Sequence, residues 1–125
     1  MNIEDLRTFC LSLPHVTEDF PFAKMPGGDS VLVFRIANKI FCVLDLDNTE
    51  RFTLKITAER SEELRSLYSD IIPAPHWGKK NWVSVPIGLL LSDAEYHQLI
   101  TEGYRTTIAT LPKKVQLSIA EICRH

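Results

Sequence analysis

The stretch from His76 to Pro86 concentrates the side chains of this chain that are suited to binding a ligand. It holds two tryptophans, a histidine and the pair Lys79 and Lys80, and a glycine stands directly before the lysines. The glycine lets the backbone turn, and the alternation of valine and serine after Trp82 predicts a short strand with one buried face. We therefore expect a loop that presents positive charge and aromatic rings at the edge of a sheet.

Lysines beside an aromatic ring favour nucleic acid as the ligand, because they combine phosphate contacts with a surface for base stacking. We assign Lys79, Lys80, Trp82 and His76 to such a site, and we expect Trp77 to be exposed on the loop. Two alternatives stay open. The lysines serve equally well to protect a sheet edge from aggregation. Trp82 lies on the opposite face of its strand from the valines, and tryptophan is usually well buried, so it is also a candidate for packing.

A second lysine pair, Lys113 and Lys114, follows Pro112 near the start of the last predicted helix. The helix dipole disfavours cations in a first turn by about 0.3 to 1 kcal/mol each. A bound phosphate would offset this cost, since free amides at a helix start attract anions as well. We include both lysines among the candidate nucleic-acid contacts, with plain solvent exposure as the alternative.

Metal binding and catalysis find little support in the residue pattern. The turn carboxylates Asp45, Asp47 and Glu50 offer three oxygens, which is too few for a calcium site. The histidines and cysteines are scattered without metal-ligand spacing, and no nucleophile elbow, phosphate-binding glycine loop or metalloprotease helix is present. We expect no metal, no cofactor and no enzymatic activity. The histidines are His15, His76, His97 and His125, and the cysteines are Cys10, Cys42 and Cys123.

Size and composition predict one ordinary globular domain over residues 1–125. The net charge of -2 and the pI near 6.1 argue against a protein that coats nucleic acid or anionic membrane through bulk electrostatics. The cysteines stand in apolar settings, as buried thiols do in a reducing compartment, and the acidic N-terminal residues do not resemble a secretory signal. We therefore expect a cytoplasmic monomer that does not bind membranes.

Alternating and helical spacings predict an α+β fold, with an antiparallel sheet and helices packed on one face. The segment from Val16 to Phe22 carries a proline between aromatics and is typical of an edge strand or an extended arm. Residues 69–81 show no clear period and are expected to form a loop. The four predicted strands are Val31–Ile36, Lys39–Leu44, Arg51–Ile56 and Trp82–Val85. Arg51–Ile56 alternates polar and apolar residues, so we expect one of its faces to be exposed to solvent.

Helix starts are marked by capping residues. Three capping signals each precede an apolar stripe, namely Asn2 with Asp5, Thr57, and the capping box from Ser92 to Glu95. The stripe after Ser92 is the most regular in the chain, and we expect Leu99 and Tyr104 within it to lie in the core.

Five short motifs together resemble the MmcQ/YjbR family over nearly the whole chain. They are Cys10-Leu11-Ser12-Leu13-Pro14, Thr17-Glu18-Asp19-Phe20-Pro21-Phe22, Lys39-Ile40-Phe41, Lys79-Lys80-Asn81-Trp82 and Leu111-Pro112-Lys113-Lys114. The resemblance implies a frataxin-like (CyaY-like) two-layer sandwich and binding of DNA through a double-wing motif. Family members often carry histidine before the tryptophan of the fourth motif, where this chain has Asn81. Any chemical role of that histidine is therefore lost here.

Two functions follow from these observations. The first is a nucleic-acid-binding module that uses the candidate lysines with Trp82 and His76, assisted by Arg51 and Lys55, and that binds weakly and with strong salt dependence. The second is a non-catalytic adaptor for a protein partner, in which Trp77 and Trp82 anchor the interface, as tryptophans do at hot spots.

Overall fold

The computed structural model describes residues 1–74, 76–78, 80–88 and 90–123, and only the backbone at 121–123. Within these residues the chain forms four helices and six strands. The helices are α1 (Ile3–Ser12), α2 (Ala58–Leu67), α3 (Asp93–Ala109) and α4 (Lys113–Cys123). The strands are β1 (Val16–Asp19), β2 (Val31–Ile36), β3 (Lys39–Asp45), β4 (Arg51–Lys55), β5 (Ile72–Pro73) and β6 (Trp82–Pro86).

All six strands form one antiparallel sheet in the order β1-β2-β3-β4-β6-β5. The four predicted strands are confirmed, and β1 is the edge strand that the segment from Val16 predicts. Strand β5 corrects the prediction of an unstructured loop over residues 69–81, since Ile72 pairs with Ser84 and Pro73 with Val83. A strand of two residues is too short to produce an alternation that a sequence pattern can reveal.

The sheet has two differently covered faces. The main core contains the inward side chains of the strands together with residues of all four helices, among them Leu6, Leu64, Leu99 and Ile119. The opposite face carries a small separate cluster of Val33, Val43, Ala74 and Trp82, and among the described residues it receives no helical side chain. The prediction of an α+β fold with helices on one face is therefore confirmed.

The pairing of β2 with β3 contains an irregularity that shapes the main core. Phe34 lies opposite Cys42 and Arg35 opposite Ile40, so Phe41 has no partner. This is the geometry of a β-bulge, which adds one residue to a strand and redirects the side chains around it. Phe41 and Cys42 are consecutive, and both are fully buried in the core beneath the helices.

The predicted caps are confirmed at three helix starts. Asn2 and Asp5 form a capping box at α1, the Thr57 side chain accepts a hydrogen bond from the amide of Arg60 at α2, and Ser92 forms a capping box at α3. Leu99 and Tyr104 on α3 are buried, as predicted. No helix in the described part of the chain is both long enough and apolar enough to span a bilayer.

Gly103 allows α3 to lie directly on β4. A Cβ atom at this position would stand 2.5 Å from Cδ1 of Leu54 and 2.8 Å from the carbonyl oxygen of Lys55. Alanine normally stabilises a helix by about 1 kcal/mol relative to glycine. We expect Gly103→Ala to lower the free energy of unfolding instead, by about 1 to 3 kcal/mol, because the backbone contact forces the helix outward.

Urea unfolding of the two proteins measures this difference. Gln98→Ala is the matched control, since Gln98 lies exposed on the same helix, and its effect should stay within about 0.5 kcal/mol. A more stable Gly103→Ala protein would show that α3 does not approach β4 this closely.

Candidate functional site

We call the side of the sheet opposite the helices the open face. Alternation along β4 and β6 places Arg51, Thr53 and Lys55 on this face with Trp82 and Ser84, while their neighbours in sequence enter the main core. The solvent-exposed face predicted for β4 is therefore the open face. Val43 and Asp45 of β3 lie on the same side.

Aromatic rings cover part of the open face. The ring centroids of Trp77 and Trp82 are 5.3 Å apart, and those of Phe22 and Trp77 are 6.0 Å apart in an edge-to-face contact. The ammonium of Lys55 lies 5.4 Å from the centroid of the Trp82 ring, within cation-π range. These contacts leave Trp82 only 9% exposed.

The structure thereby settles where the two tryptophans lie. Trp82 packs on the open face, opposite the valines of its strand, so a base can reach its ring only if Trp77 or Lys55 moves. Trp77 is half-buried against Phe22 and Trp82, which corrects the expectation that it is exposed. Its contacts with two other rings remove part of its surface from solvent, and it also lines the neighbouring cavity.

This cavity has a volume of about 500 Å³ and lies on the open face between two loops. The strands β2, β3, β4 and β6 form its floor, the loop of residues 22–28 forms one wall, and Ala74, His76 and Trp77 form the other. The lining residues are Phe22, Met25, Pro26, Gly27, Gly28, Val31, Val43, Asp45, Asn48, Arg51, Thr53, Ala74, His76, Trp77 and Ser84. Sequence inspection did not identify the cavity, because its residues come from segments that are far apart in the chain.

The wall formed by residues 22–28 is closely folded on itself. The amide of Met25 donates a hydrogen bond of 2.9 Å to the carbonyl of Phe22, and the amide of Gly28 donates one of 3.0 Å to Met25. Gly28 is buried so close to Phe22 that a Cβ atom would stand 2.7 Å from the Cβ of Phe22. A larger residue at Gly28 would therefore clash with the backbone and Cβ of Phe22.

Arg51 is held on the cavity floor by three hydrogen bonds. Its Nε donates to Oγ of Ser84 at 2.8 Å, and its Nη2 donates to the carbonyl of Ser84 at 2.9 Å and to the carbonyl of Asp70. Asp45 is held separately, since its Oδ1 accepts from Oγ of Ser30 at 3.0 Å and from the amide of Asp47 at 2.9 Å. Both charged groups thus have fixed positions beside the same cavity.

The structure brings some of the predicted binding residues together and separates others. His76 is exposed at the rim of the cavity, and Lys80 is exposed in the turn that leads into β6. Lys79 lies outside the described residues. Lys113 and Lys114 are exposed in the first turn of α4, which belongs to the helix layer. They do not share the open face with Trp82.

The ion pairs among the described residues are formed by arginines and the N-terminal amine, and not by lysines. Arg7 pairs with Glu18, Arg35 with Asp19, and Arg60 with Glu63 and Glu102. No lysine in the described ranges takes part in an ion pair. Several acidic side chains are thus paired with arginines. Lys55 and Lys80 have no ion-pair partner among the described residues, so their positive charges are not neutralised by such a pair.

Cys10 and Cys42 are fully buried free thiols, as their apolar settings predict, and the side chain of Cys123 lies outside the described residues. A hydrogen bond with the Cys42 side chain and burial together raise the pKa of the Cys10 thiol well above its ordinary value. Cys10 is therefore protonated at neutral pH and a poor nucleophile. Within the described residues, no three histidine, cysteine or carboxylate side chains converge as metal ligands.

Known proteins resemble this chain along most of its length. The Escherichia coli O157:H7 protein YbdF is 31% identical over 90% of this chain and 89% of its own, and YjbR of E. coli K12 is 21% identical over 98% of this chain and 100% of its own. Both are named as uncharacterised proteins. The crystal structure of Deinococcus radiodurans DR2400, a DUF419 domain, matches with a TM-score of 0.84 and 28% identity, covering 95% of this chain and 88% of that one.

A crystal structure from Pseudomonas syringae shows the same fold at 23% identity and a TM-score of 0.68, covering 86% of this chain and 99% of that one. The family model YjbR matches residues 11–106, which contain the whole sheet and most of α3. The resemblance seen in the five sequence motifs is thereby confirmed, and the chain belongs to the YjbR family.

Proposed function

We propose that this chain acts in the cytoplasm as a monomeric, non-catalytic protein that binds single-stranded DNA on the open face of its sheet. The observation that carries the proposal is an aromatic cluster that borders the cavity, with Lys55 on the Trp82 ring and Lys80 two residues before it, neither of them in an ion pair within the described residues. Phe22 and Trp77 line the cavity, Lys55 covers Trp82, and Lys80 is exposed in the turn before β6.

Stacking on aromatic rings and a local positive charge are the two terms that bind single strands without sequence preference. The cavity gives an unpaired base access to the remaining face of Trp77. We expect Lys80, Lys55 and His76 to contact the phosphates on either side of that base. Lys79 precedes Lys80 directly and adds to the same charge.

A single strand suits this surface better than a duplex does. Paired bases in a duplex present only their edges, so they cannot stack on a ring that lies inside a cavity. The proposed site does not include Lys113 and Lys114, because these lysines lie in the helix layer on the other side of the sheet. A strand bound on the open face would have to wrap round the domain to reach them.

Fluorescence anisotropy of a labelled single-stranded oligonucleotide of mixed sequence tests the proposal. We expect binding at low salt that weakens steeply as salt is added, because the affinity depends on displaced counterions. Trp77→Ala should lower the binding free energy by about 1 to 3 kcal/mol for the one base that it stacks. Circular dichroism checks that the variant still folds.

Phe20→Ala is the matched control, since Phe20 is an aromatic residue that is 42% exposed but does not line the cavity. It should bind the oligonucleotide like the unaltered protein. If the unaltered protein binds no DNA or RNA at low salt, the nucleic-acid function is wrong. The aromatic cluster would then serve as the anchor of a protein interface, as hot-spot tryptophans do.

A further inference from the structure

We propose that the cavity on the open face is a subsite for one guanine base, with a hydrogen-bonding edge formed by Asp45 and Arg51. The inference rests on the proposed function and deepens it, because it assigns a base preference to one position of an otherwise sequence-tolerant surface. It predicts that the free mononucleotide binds as well, which makes the subsite testable apart from DNA.

The size and walls of the cavity suit a flat ring system. A volume of about 500 Å³ falls within the range of about 300 to 1,000 Å³ that is usual for small-molecule sites. Trp77 and Phe22 supply aromatic rings on the walls, and Val31 and Val43 supply an apolar floor. A two-ring purine uses more of this apolar surface than a pyrimidine does.

The polar groups of the floor are unusual in their arrangement. The pairing of β3 with β4 ends at Leu44 and Phe52, and Asp45 and Arg51 are the next residues on the two strands. Opposite charges that face each other across two strands stabilise a sheet. Here Arg51 turns the other way to Ser84 and Asp70, while Asp45 binds Ser30. No ion pair joins the two among the described residues.

Both residues line the cavity, and the side chain of each keeps unused hydrogen-bonding capacity. The described contacts of Asp45 all go to Oδ1, which leaves Oδ2 as an acceptor, and those of Arg51 use Nε and Nη2, which leaves Nη1 as a donor. Asp45 thus offers an acceptor and Arg51 a donor among the residues that line the same cavity.

Guanine presents the complementary pattern along its Watson–Crick edge. Its N1–H and amino group donate, as the carboxylate of Asp45 requires, and its O6 accepts, as the guanidinium of Arg51 requires. Adenine carries an acceptor at N1, which would face the carboxylate unfavourably. With the base in this position, we expect the ribose and phosphate to lie towards His76, which is exposed and lines the cavity.

The nucleotides themselves give the first test, and it requires no change in the protein. Calorimetric titration should show that guanosine monophosphate binds at least about tenfold more tightly than inosine monophosphate, which lacks only the amino group. Adenosine and uridine monophosphates should bind more weakly still. Equal affinities for the guanosine, inosine and uridine nucleotides would overturn the proposal.

Asp45→Asn provides the second test, because it keeps the Oδ1 acceptor for Ser30 and Asp47 and replaces Oδ2 by a donor. The variant should lose at least about tenfold in affinity for guanosine monophosphate. It should gain affinity for xanthosine monophosphate, whose carbonyl replaces the amino group and accepts from the new donor. A damaged fold cannot produce this gain. A folded variant with unchanged guanosine affinity would overturn the assignment of Asp45.

Comparing mononucleotides with the oligonucleotide separates the two proposals. If DNA binds with salt dependence but the free nucleotides show no guanine preference, the subsite is wrong and the DNA function stands. If guanosine monophosphate binds selectively and no oligonucleotide binds, the subsite stands and the DNA function is wrong.

Discussion

Replacing Leu99 by alanine is expected to lower the free energy of unfolding by about 2 to 5 kcal/mol. Leu99 lies on the inner side of α3, is 3% exposed and belongs to the main core between the helices and the sheet. Alanine removes most of its apolar contacts and leaves a void that the well-packed surroundings fill only in part. For a domain of this size, such a loss is a large share of the total stability.

Leu67→Ala is the matched control, because Leu67 is also a helical leucine but is 65% exposed. Its replacement should change stability by no more than about 0.5 kcal/mol. Urea unfolding followed by circular dichroism measures both variants. If Leu99→Ala is no more destabilising than Leu67→Ala, α3 does not cover the sheet in the way described.

The parts of the fold that could be predicted from the sequence depend on local patterns. Alternation located the strands β2, β3, β4 and β6, and side-chain capping located the starts of α1, α2 and α3. The bulge at Phe41 could not be predicted, because Phe41 and Cys42 are both apolar and either fits a buried strand. Strand β5 exists only because β6 offers it a pairing edge, so its cause lies outside its own sequence.

The candidate site was predictable only where it is local in sequence. His76, Lys80 and Trp82 stand close together in the chain, and the motif was visible for that reason. Asp45 and Arg51 meet through strand pairing and the cavity walls come from separate loops, so no spacing pattern reveals the pocket. The burial of Trp82 likewise depends on Trp77, which folds back over it from the preceding loop.

The departure from the family motif at Asn81 has a definite structural position. Asn81 is exposed in the turn before β6, and its carbonyl accepts a hydrogen bond of 2.8 Å from the amide of Ile56. This hydrogen bond is made by the backbone of residue 81. It therefore does not depend on which side chain stands there.

Replacing both Lys79 and Lys80 by alanine is expected to change the salt dependence of DNA binding. Each lysine that neutralises a phosphate contributes about 0.7 to the slope of log affinity against log salt on single strands, and about 0.9 on duplex DNA. The double variant should therefore lose about 1.4 from the slope on single strands, or about 1.8 on a duplex. Lys80 is exposed and forms no ion pair within the described residues, so we expect folding to be unaffected.

The measurement that tests the central claim most directly is this slope, determined by anisotropy for the unaltered protein, the Lys79→Ala/Lys80→Ala variant and a Lys113→Ala/Lys114→Ala variant. The third protein loses the same charge from the helix layer. We predict that the slope falls by about 1.4 in the Lys79→Ala/Lys80→Ala variant and stays unchanged in the Lys113→Ala/Lys114→Ala variant. An unchanged slope in the first variant, or an equal fall in both, would contradict a nucleic-acid site on the open face.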